Sequence, residues 1–396
     1  MVTELRRIIH FAKASRRNRM IAAFLHVAMW PLLLIPRLIW PLRSRRGAIQ
    51  KILLIRVDGI GDLAMCAAIF PSLRKKFPGA QIDLLTSENA APVADLFVAE
   101  GWLNNVWRMP LKGRGLKPYR KLAKDFRKMH YDAGIDLRGD MRNLLLMWLA
   151  GIPRRLGLRG SGLSYLATGL VELPVDAHQS AESAELVRRL GVEEMEPWPR
   201  LPLQASHIAE ADRWLAENGV AADRPICAMH LGAFYPVKEW PLERFAAVAK
   251  KLHERTGAQI VAIGGPPEAE LGKALAAQVG FPVALAAGRT SLVLTAAIVS
   301  RCDVFIGADS GPAHVAAGVG CAVVVLFGPA IVQKYQPRSP RVTVMAPVGK
   351  CDPLCDQVCA RPVESRCMMQ HSVEAVAAKA EGFILVSARH QSGVRL

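Results

Sequence analysis

The sequence predicts an α/β protein made of two doubly wound halves behind a basic, apolar extension. Three observations carry this. The chain has 396 residues, 51% hydrophobic and 21% charged, which is enough material for two packed cores. From Lys51 onward, short apolar runs alternate with helical stretches, the mark of βαβ units and a mostly parallel sheet. After a polar, Pro-rich stretch around Glu193 to Pro202 the same alternation starts again. The expected divisions are an extension over 1–50, a first Rossmann-like half over 51–200, and a second over 201–396 that carries a cysteine cluster and a C-terminal helix.

The extension holds ten Lys or Arg and a single acid, Glu4, a net +9 within a chain whose formal charge is +17. Between its arginine clusters, Met20 to Pro36 is free of formal charge, rich in Leu, Ile, Ala and Trp, interrupted by Pro31 and stopped by Arg37. A spanning helix needs about 20 apolar residues. An interfacial or re-entrant anchor over 20–42, with arginines reaching phosphate headgroups and Trp30 and Trp40 at the boundary, fits better. The other reading is an amphipathic helix docked on the protein's own surface. A cleaved signal fits less well, because Ser44-Arg45-Arg46 stands where small residues would be expected. The basic charge lies beside an apolar run and is not interleaved with aromatics on a domain face, which argues against nucleic acid as the partner.

In the first half, Lys51 to Arg56 reads as a buried strand, Leu63 to Phe77 as a helix closed by Pro78-Gly79, Gln81 to Leu85 as the next strand and Ala133 to Leu137 as another. A loop rich in Lys, Arg and Gly (Lys112 to Lys121) precedes the helix leading into that strand. In the second half the strands are Pro225 to Leu231, Gln259 to Ile263, Val304 to Gly307 and Ala322 to Phe327. Helices are expected over Leu242 to Thr256, Glu268 to Val279 and Pro312 to Gly318. Two such halves joined by one hinge predict a cleft, with ligands outside the carboxyl ends of the strands.

The first βα turn, Arg56-Val57-Asp58-Gly59-Ile60-Gly61-Asp62, has the glycines of a dinucleotide fingerprint, with Ala64 at the third position. Its carboxylates, Asp58 and Asp62, would repel a pyrophosphate, so the turn handles something else. Asp62 is open to two readings: a helix N-cap, or a base taking a proton from an attacking hydroxyl. In the second half, Gly307-Ala308-Asp309-Ser310-Gly311-Pro312-Ala313-His314 runs from strand to turn to helix. Either Asp309 or Ser310 caps that helix, or its first N–H groups bind a diphosphate with His314 one turn in. Two further polar loops follow strands: His230-Leu231-Gly232-Ala233 with Lys238-Glu239-Trp240-Pro241, and Gly264-Gly265-Pro266-Pro267-Glu268.

These segments together resemble glycosyltransferase family 9, the ADP-heptose:lipopolysaccharide heptosyltransferases. The run KILLIRVDGIGDLAMCAAIFPSLRKKFPGAQIDLLTS is similar to that family's opening, and FIGADSGPAHVAAGVGCAVVVLFGP to its second signature. YDAGIDLRGDMRN, HLGAFYPVKEWPLERFAAVAKKL and IVAIGGPPEAEL match between them, so the likeness runs from about Lys51 to about Val376. The resemblance implies a GT-B fold, two Rossmann-like domains facing a cleft, and an inverting, metal-independent transfer from a nucleotide sugar. On this basis Asp62 resembles the general base and Lys238 the donor-phosphate contact. Glu268 resembles the nucleoside or sugar contact, and Asp309, Ser310, Gly311 and His314 the donor loop. Asp58, Gly61, Arg138, Asp140 and Arg142 are the expected acceptor contacts. Where some relatives carry Ser or Thr, this chain has Phe234-Tyr235-Pro236.

Such a transfer needs a base on the acceptor hydroxyl and stabilisation of the departing diphosphate. The first half can supply the former and the second half the latter, without a divalent ion; closure of the cleft would exclude water. The implied partners are an ADP-heptose-like sugar, an anionic lipid-linked glycan and the inner-membrane surface, reached from the cytoplasm. No cofactor is required for catalysis. Cys351, Cys355, Cys359 and Cys367 could hold a structural zinc or iron, although the x3 spacings lack the usual C-x2-C knuckle. Cys66, Cys227, Cys302 and Cys321 are scattered in apolar surroundings and read as core. The competing function is a non-catalytic, membrane-tethered binding module of the same fold.

Overall fold

The computed structural model describes residues 47–110, 116–174, 176–349, 359 and 366–391, together with 20, 24, 27 and 28. Most of the basic extension, the tip of the loop after Met109, and Cys351 and Cys355 therefore lie outside the described residues. The chain divides into two compact units, one ending at Pro197 and the other beginning at Trp198.

The first unit contains β1 (Lys51–Arg56), α1 (Ile60–Met65), α2 (Ile69–Lys76), β2 (Gln81–Ser87), α3 (Ala91–Ala99) and β3 (Asn105–Met109). It continues with α4 (Leu116–Met129), β4 (Ala133–Asp136), α5 (Met141–Leu149), β5 (Arg154–Leu158), β6 (Gly169–Val171) and α6 (Gln179–Arg188). Its sheet has the order β3-β2-β1-β4-β5-β6, and every neighbouring pair is parallel. The second unit contains α7 (Ala205–Glu217), β7 (Ile226–His230), α8 (Leu242–Thr256), β8 (Gln259–Ile263), α9 (Ala269–Val279) and β9 (Val283–Leu285). After these come α10 (Leu292–Ser300), β10 (Val304–Ala308), α11 (Gly311–Gly318), β11 (Ala322–Leu326), α12 (Val332–Tyr335), β12 (Val342–Met345) and α13 (Val373–Gln391). Its order, β12-β11-β10-β7-β8-β9, repeats the topology of the first sheet, again all parallel.

This order fixes where ligands go. In a doubly wound sheet the strand order reverses at one point, and the loops at the carboxyl ends of the two strands there part to opposite faces and leave a crevice. Here those pairs are β1 with β4 and β7 with β10. The loops that follow them carry Asp58 to Asp62, Arg138 to Arg142, Leu231 to Lys238 and Asp309 to His314.

The strands are apolar because they are covered on both faces. β7, β8, β10 and β11 are buried throughout. The second unit holds two apolar clusters, one built on Met229, Trp240, Val248, Ile260 and Ile306, the other on Ala228, Val261, Phe305 and Val323. The first cluster includes Val376, Ala377, Ala380 and Ile384, which dock α13 onto it.

The long helix expected after β1 is two helices. At Cys66 to Ala68 the chain tightens: Cys66 N bonds Leu63 O and Ala67 N bonds Ala64 O, each at i−3, so the axis breaks before α2 begins. Among the described residues no helix is long and apolar enough to cross a membrane.

Candidate functional site

In the first unit the site grows from the end of β1. Arg56 is fully buried, and its guanidinium lies 3.0 Å from Asp58 and 3.2 Å from Asp62 while also donating to the Leu137 carbonyl. Burial alone would lower the pKa of this arginine. Asp58 beside it, with Cys66, Asp62 and Glu182, more than offsets that, holding the group well above its ordinary value. Such a cation is always charged.

Asp62 lies three residues inside α1, and Gly59 occupies the N-cap position. The carboxylate accepts from Gly59 N–H at 3.2 Å, from Arg56 at 3.2 Å and from Gln179 Nε2 at 3.2 Å. A Cβ on Gly59 would come within 3.0 Å of Asp62 Oδ2, so the glycine makes room for that contact. Even so, the Asp62 side chain stays 34% exposed, against 14% for Asp58. It closes the turn and still offers a carboxylate surface.

The loop after β4 is braced against this one. While Arg56 reaches the Leu137 carbonyl, Arg138 reaches back to the Val57 carbonyl at 2.5 Å. Asp140 caps α5 by accepting from Arg142 N at 3.0 Å, and the Arg142 guanidinium closes on the same carboxylate at 2.5 and 2.9 Å. Burial pushes Asp140 up, but Arg142 and then Arg138 outweigh it and keep the carboxyl below its usual range. Below it, Asp136 is pushed up to about 6 by burial, even though it accepts from Asn143 and from the backbone of Arg138 and Asp140. Asp140 is thus committed to its cap and its arginines. Arg138 and Arg142 keep 31% and 38% of their side chains exposed, as cations at the crevice rim.

In the second unit, Lys238 ends a short 3-10 turn and places Nζ 2.6 Å from Asp309 Oδ2 and 3.4 Å from the Asp309 carbonyl. Ser310 is the N-cap residue of α11, yet its side chain makes no cap bond; Oγ donates to the Ala308 carbonyl at 3.2 Å and lies 3.4 Å from His230 Nδ1. The expectation that Asp309 or Ser310 caps this helix by its side chain is therefore not met by Ser310. The first turn of α11 keeps N–H groups with no intrahelical acceptor, the usual provision for an anion. Burial pushes His230 down to about 4, so it is neutral at physiological pH. His314 is buried one turn along.

Glu268 sits where two glycines allow it. A Cβ on Gly232 would come 2.8 Å from Glu268 Cγ, and one on Gly264, at φ +151°, 2.8 Å from Glu268 Cβ. The carboxylate therefore reaches from the loop after β8 to the loop after β7. Burial, and then Glu268 itself, push the neighbouring Glu239 carboxyl up. Phe234 is 80% exposed, with Tyr235 edge-on to it at 4.9 Å.

The structure thus groups Asp58, Gly61 and Asp62 with Arg138, Asp140 and Arg142, and separately Lys238, Asp309, Ser310, Gly311 and His314, with Glu268 in the loop after the neighbouring strand β8. Sequence reasoning missed Arg56, which reads as the last residue of a strand, and Gln179, which lies 117 positions from Asp62. A cavity of 1420 Å³ at the other end of β7 and β10, lined by Arg224, Ile226, Asp303, Arg341 and Phe383, includes none of the candidate residues. Among the described residues no group of three or more His, Cys, Asp or Glu is placed to hold a metal ion. Of the cysteine cluster, Cys367 is buried and Cys359 half-buried.

Comparison with known proteins follows the same lines. Residues 119–362 match the model of glycosyltransferase family 9 (heptosyltransferase). Lipopolysaccharide heptosyltransferase 2 of Escherichia coli K12 is 26% identical over 314 residues, covering 75% of this chain and 88% of that protein. Lipooligosaccharide heptosyltransferase 2 of Haemophilus influenzae is 25% identical over the same shares. Among solved structures, a family 9 glycosyl transferase from Veillonella parvula superposes with a TM-score of 0.77 at 22% identity, covering 87% of this chain and 99% of that one. The E. coli ADP-heptose heptosyltransferase II gives 0.69 at 22% identity, covering 86% and 100%. The two parallel six-stranded sheets are those of a GT-B protein. With more than half its length matched by one family model, the chain belongs to glycosyltransferase family 9.

Proposed function

We propose that this chain moves a heptose, or a closely related sugar, from an ADP-sugar to a lipopolysaccharide core or a similar anionic, membrane-linked acceptor. Transfer proceeds with inversion and without a metal ion. Relatives named as lipopolysaccharide heptosyltransferase 2 support the substrate pair. The observation that carries the chemistry is the Asp62 carboxylate, held by Arg56, Gln179 and Gly59 and yet 34% exposed.

In this reading the first unit is the acceptor domain and the second the donor domain. Asp62 takes the proton of the acceptor hydroxyl as its oxygen bonds the anomeric carbon. The bond from that carbon to the diphosphate breaks, and the electron pair leaves with ADP. Lys238 and the N–H groups at the start of α11 meet the charge on the departing diphosphate. Asp309 aims Lys238, His314 supports the loop, and Glu268 contacts the donor's nucleoside or sugar. Arg138 and Arg142, with Asp58, Gly61 and Asp140 shaping the loops, draw in the anionic acceptor.

Residues 1–50 hold the protein to the cytoplasmic face of the inner membrane by basic charge and apolar contact. Cys351, Cys355, Cys359 and Cys367 are the residues that would hold a structural zinc or iron, in a role apart from the transfer itself. The test of the catalytic reading is direct: incubate the purified chain with ADP-heptose and a heptose-bearing lipooligosaccharide in the presence of EDTA. Expected are ADP release, a product larger by one heptose, and an anomeric configuration opposite to the donor's. ADP release without glycan product, or retained configuration, contradicts the proposal.

A further inference from the structure

Gln179, the first residue of α6, is 4% exposed and points its amide at Asp62. Nε2 donates to Asp62 Oδ1 at 3.2 Å, the same oxygen that Arg56 reaches from β1 at 3.2 Å. Its other end is the informative part: Oε1 is buried and meets no donor among the described residues. An unpaired buried carbonyl is a cost to folding that an apolar side chain of the same shape avoids. Turning the amide round would set that carbonyl against the Asp62 carboxylate, so the carboxylate decides its orientation.

The helix that carries Gln179 is fixed in place. Ser183, one turn along α6, has Oγ 3.1 Å from Cys66 Sγ at the break after α1, and Leu186 and Val187 are fully buried beyond it. Oδ1 of Asp62 is thus gripped by donors from two elements, one charged and one neutral, while Oδ2 is tied to Gly59 N–H. The charged and titratable groups acting on Arg56 at this site include Asp58 and Asp62 from the β1 turn, Cys66 after α1 and Glu182 on α6.

We infer that Gln179 is a positioning residue for sugar transfer, acting through Asp62 by locking its carboxylate in the orientation that receives the acceptor proton. This rests on Asp62 being the base. A neutral donor suits that task, because it fixes the carboxylate geometry while adding less to the anion's stabilisation than a second cation would. A carboxylate that turns freely is a poorer base at the same exposure, since only a near-attack geometry is productive.

The experiment compares the full-length wild type with Gln179→Met, Gln179→Glu and Asp62→Asn, measuring kcat and KM for the ADP-sugar across pH, and the melting midpoint of each. Gln179→Met keeps the shape, removes the donor and removes the unpaired carbonyl. Its melting midpoint should be equal or higher while kcat falls at least about tenfold with KM for the donor unchanged. Gln179→Glu sets a second carboxylate against Asp62, and the acid limb of its kcat/KM profile should move up by roughly one pH unit. Three results overturn the inference: a Gln179→Met enzyme with kcat within about twofold of wild type, an unmoved acid limb in Gln179→Glu, or a loss of activity that merely follows a lower melting midpoint. Asp62→Asn separates the two ideas. If it is inactive while the limb in Gln179→Glu stays put, only the role of Gln179 fails; if it turns over normally, the base assignment fails and takes this inference with it.

Discussion

At the carboxyl end of β1 the buried member of the charged pair is the cation: Arg56 is fully enclosed and Asp62 keeps 34% of its side chain exposed. At the carboxyl ends of β7 and β10 the arrangement is reversed, with Asp309 at 5% and Lys238 at 17%. Both pairs stand at the switch point of the same strand order. The difference lies in which charge faces outward. A presented carboxylate over a buried guanidinium keeps an oxygen surface that an approaching hydroxyl can reach. The three N–H donors of a lysine let the ammonium over a buried carboxylate turn toward a phosphate while holding Asp309. Under the proposed function, two copies of one topology serve as a base site and an anion site.

The sharpest way to break this comparison is at the presented carboxylate. Asp62→Asn is expected to lower turnover by about 10²–10⁴ fold, measured as ADP release at saturating donor. Turnover near wild type would return Asp62 to closing the α1 turn. The next effect is on folding. Lys238→Ala leaves Asp309 buried without its ammonium and should cost about 3–5 kcal/mol of stability, read by urea denaturation. Adding Asp309→Leu should recover much of that. If the double variant is no more stable than the single one, the pair is not the feature that organises the loop.

A third test uses the buried carboxyl behind the acceptor loop. Asp136 titrates at about 6 in the folded chain against an ordinary 3.8. The folded protein therefore holds the extra proton between those values, and stability falls as pH rises through that window, by at most about 3 kcal/mol. Denaturation midpoints at several pH values between 4 and about 7, compared with Asp136→Asn, measure it; an unchanged slope in the variant would contradict the assignment. The smallest effect on catalysis belongs to the extension. Deleting residues 1–50 should abolish flotation with anionic vesicles and leave turnover on a soluble acceptor near wild type, while full-length protein should come partly off vesicles at high salt. A truncated chain that still floats would move the membrane contact onto the folded units.

Much of this arrangement was legible in the sequence where burial is two-sided and local. The strands at both switch points read as continuous apolar runs, and α8 and β8 fall where the periodicity puts them, at Leu242–Thr256 and Gln259–Ile263. Short or outer strands did not read so plainly. β3 is partly exposed, β5 opens on Arg154-Arg155, and β6 and β9 are three residues each, too short for an alternation to register. Among site residues, those on a strand-turn-helix segment were legible from spacing alone. The contacts that give them direction were not, because Arg56 to Leu137 and Gln179 to Asp62 join positions 81 and 117 apart. The glycines at 232 and 264 read as turn residues; the packing of Glu268 against both, with the φ of +151° at Gly264, explains why a side chain fits poorly there.

In the proposed function the outward carboxylate of the first unit serves the proton and the outward ammonium of the second serves the diphosphate. Titration calorimetry of ADP against Asp62→Asn and Lys238→Ala, side by side with wild type, tests it without any acceptor. Asp62→Asn should bind ADP as wild type does, and Lys238→Ala should bind at least about tenfold more weakly, a loss of about 1.4 kcal/mol or more. Equal affinities for Lys238→Ala and wild type, or a loss confined to Asp62→Asn, would contradict it.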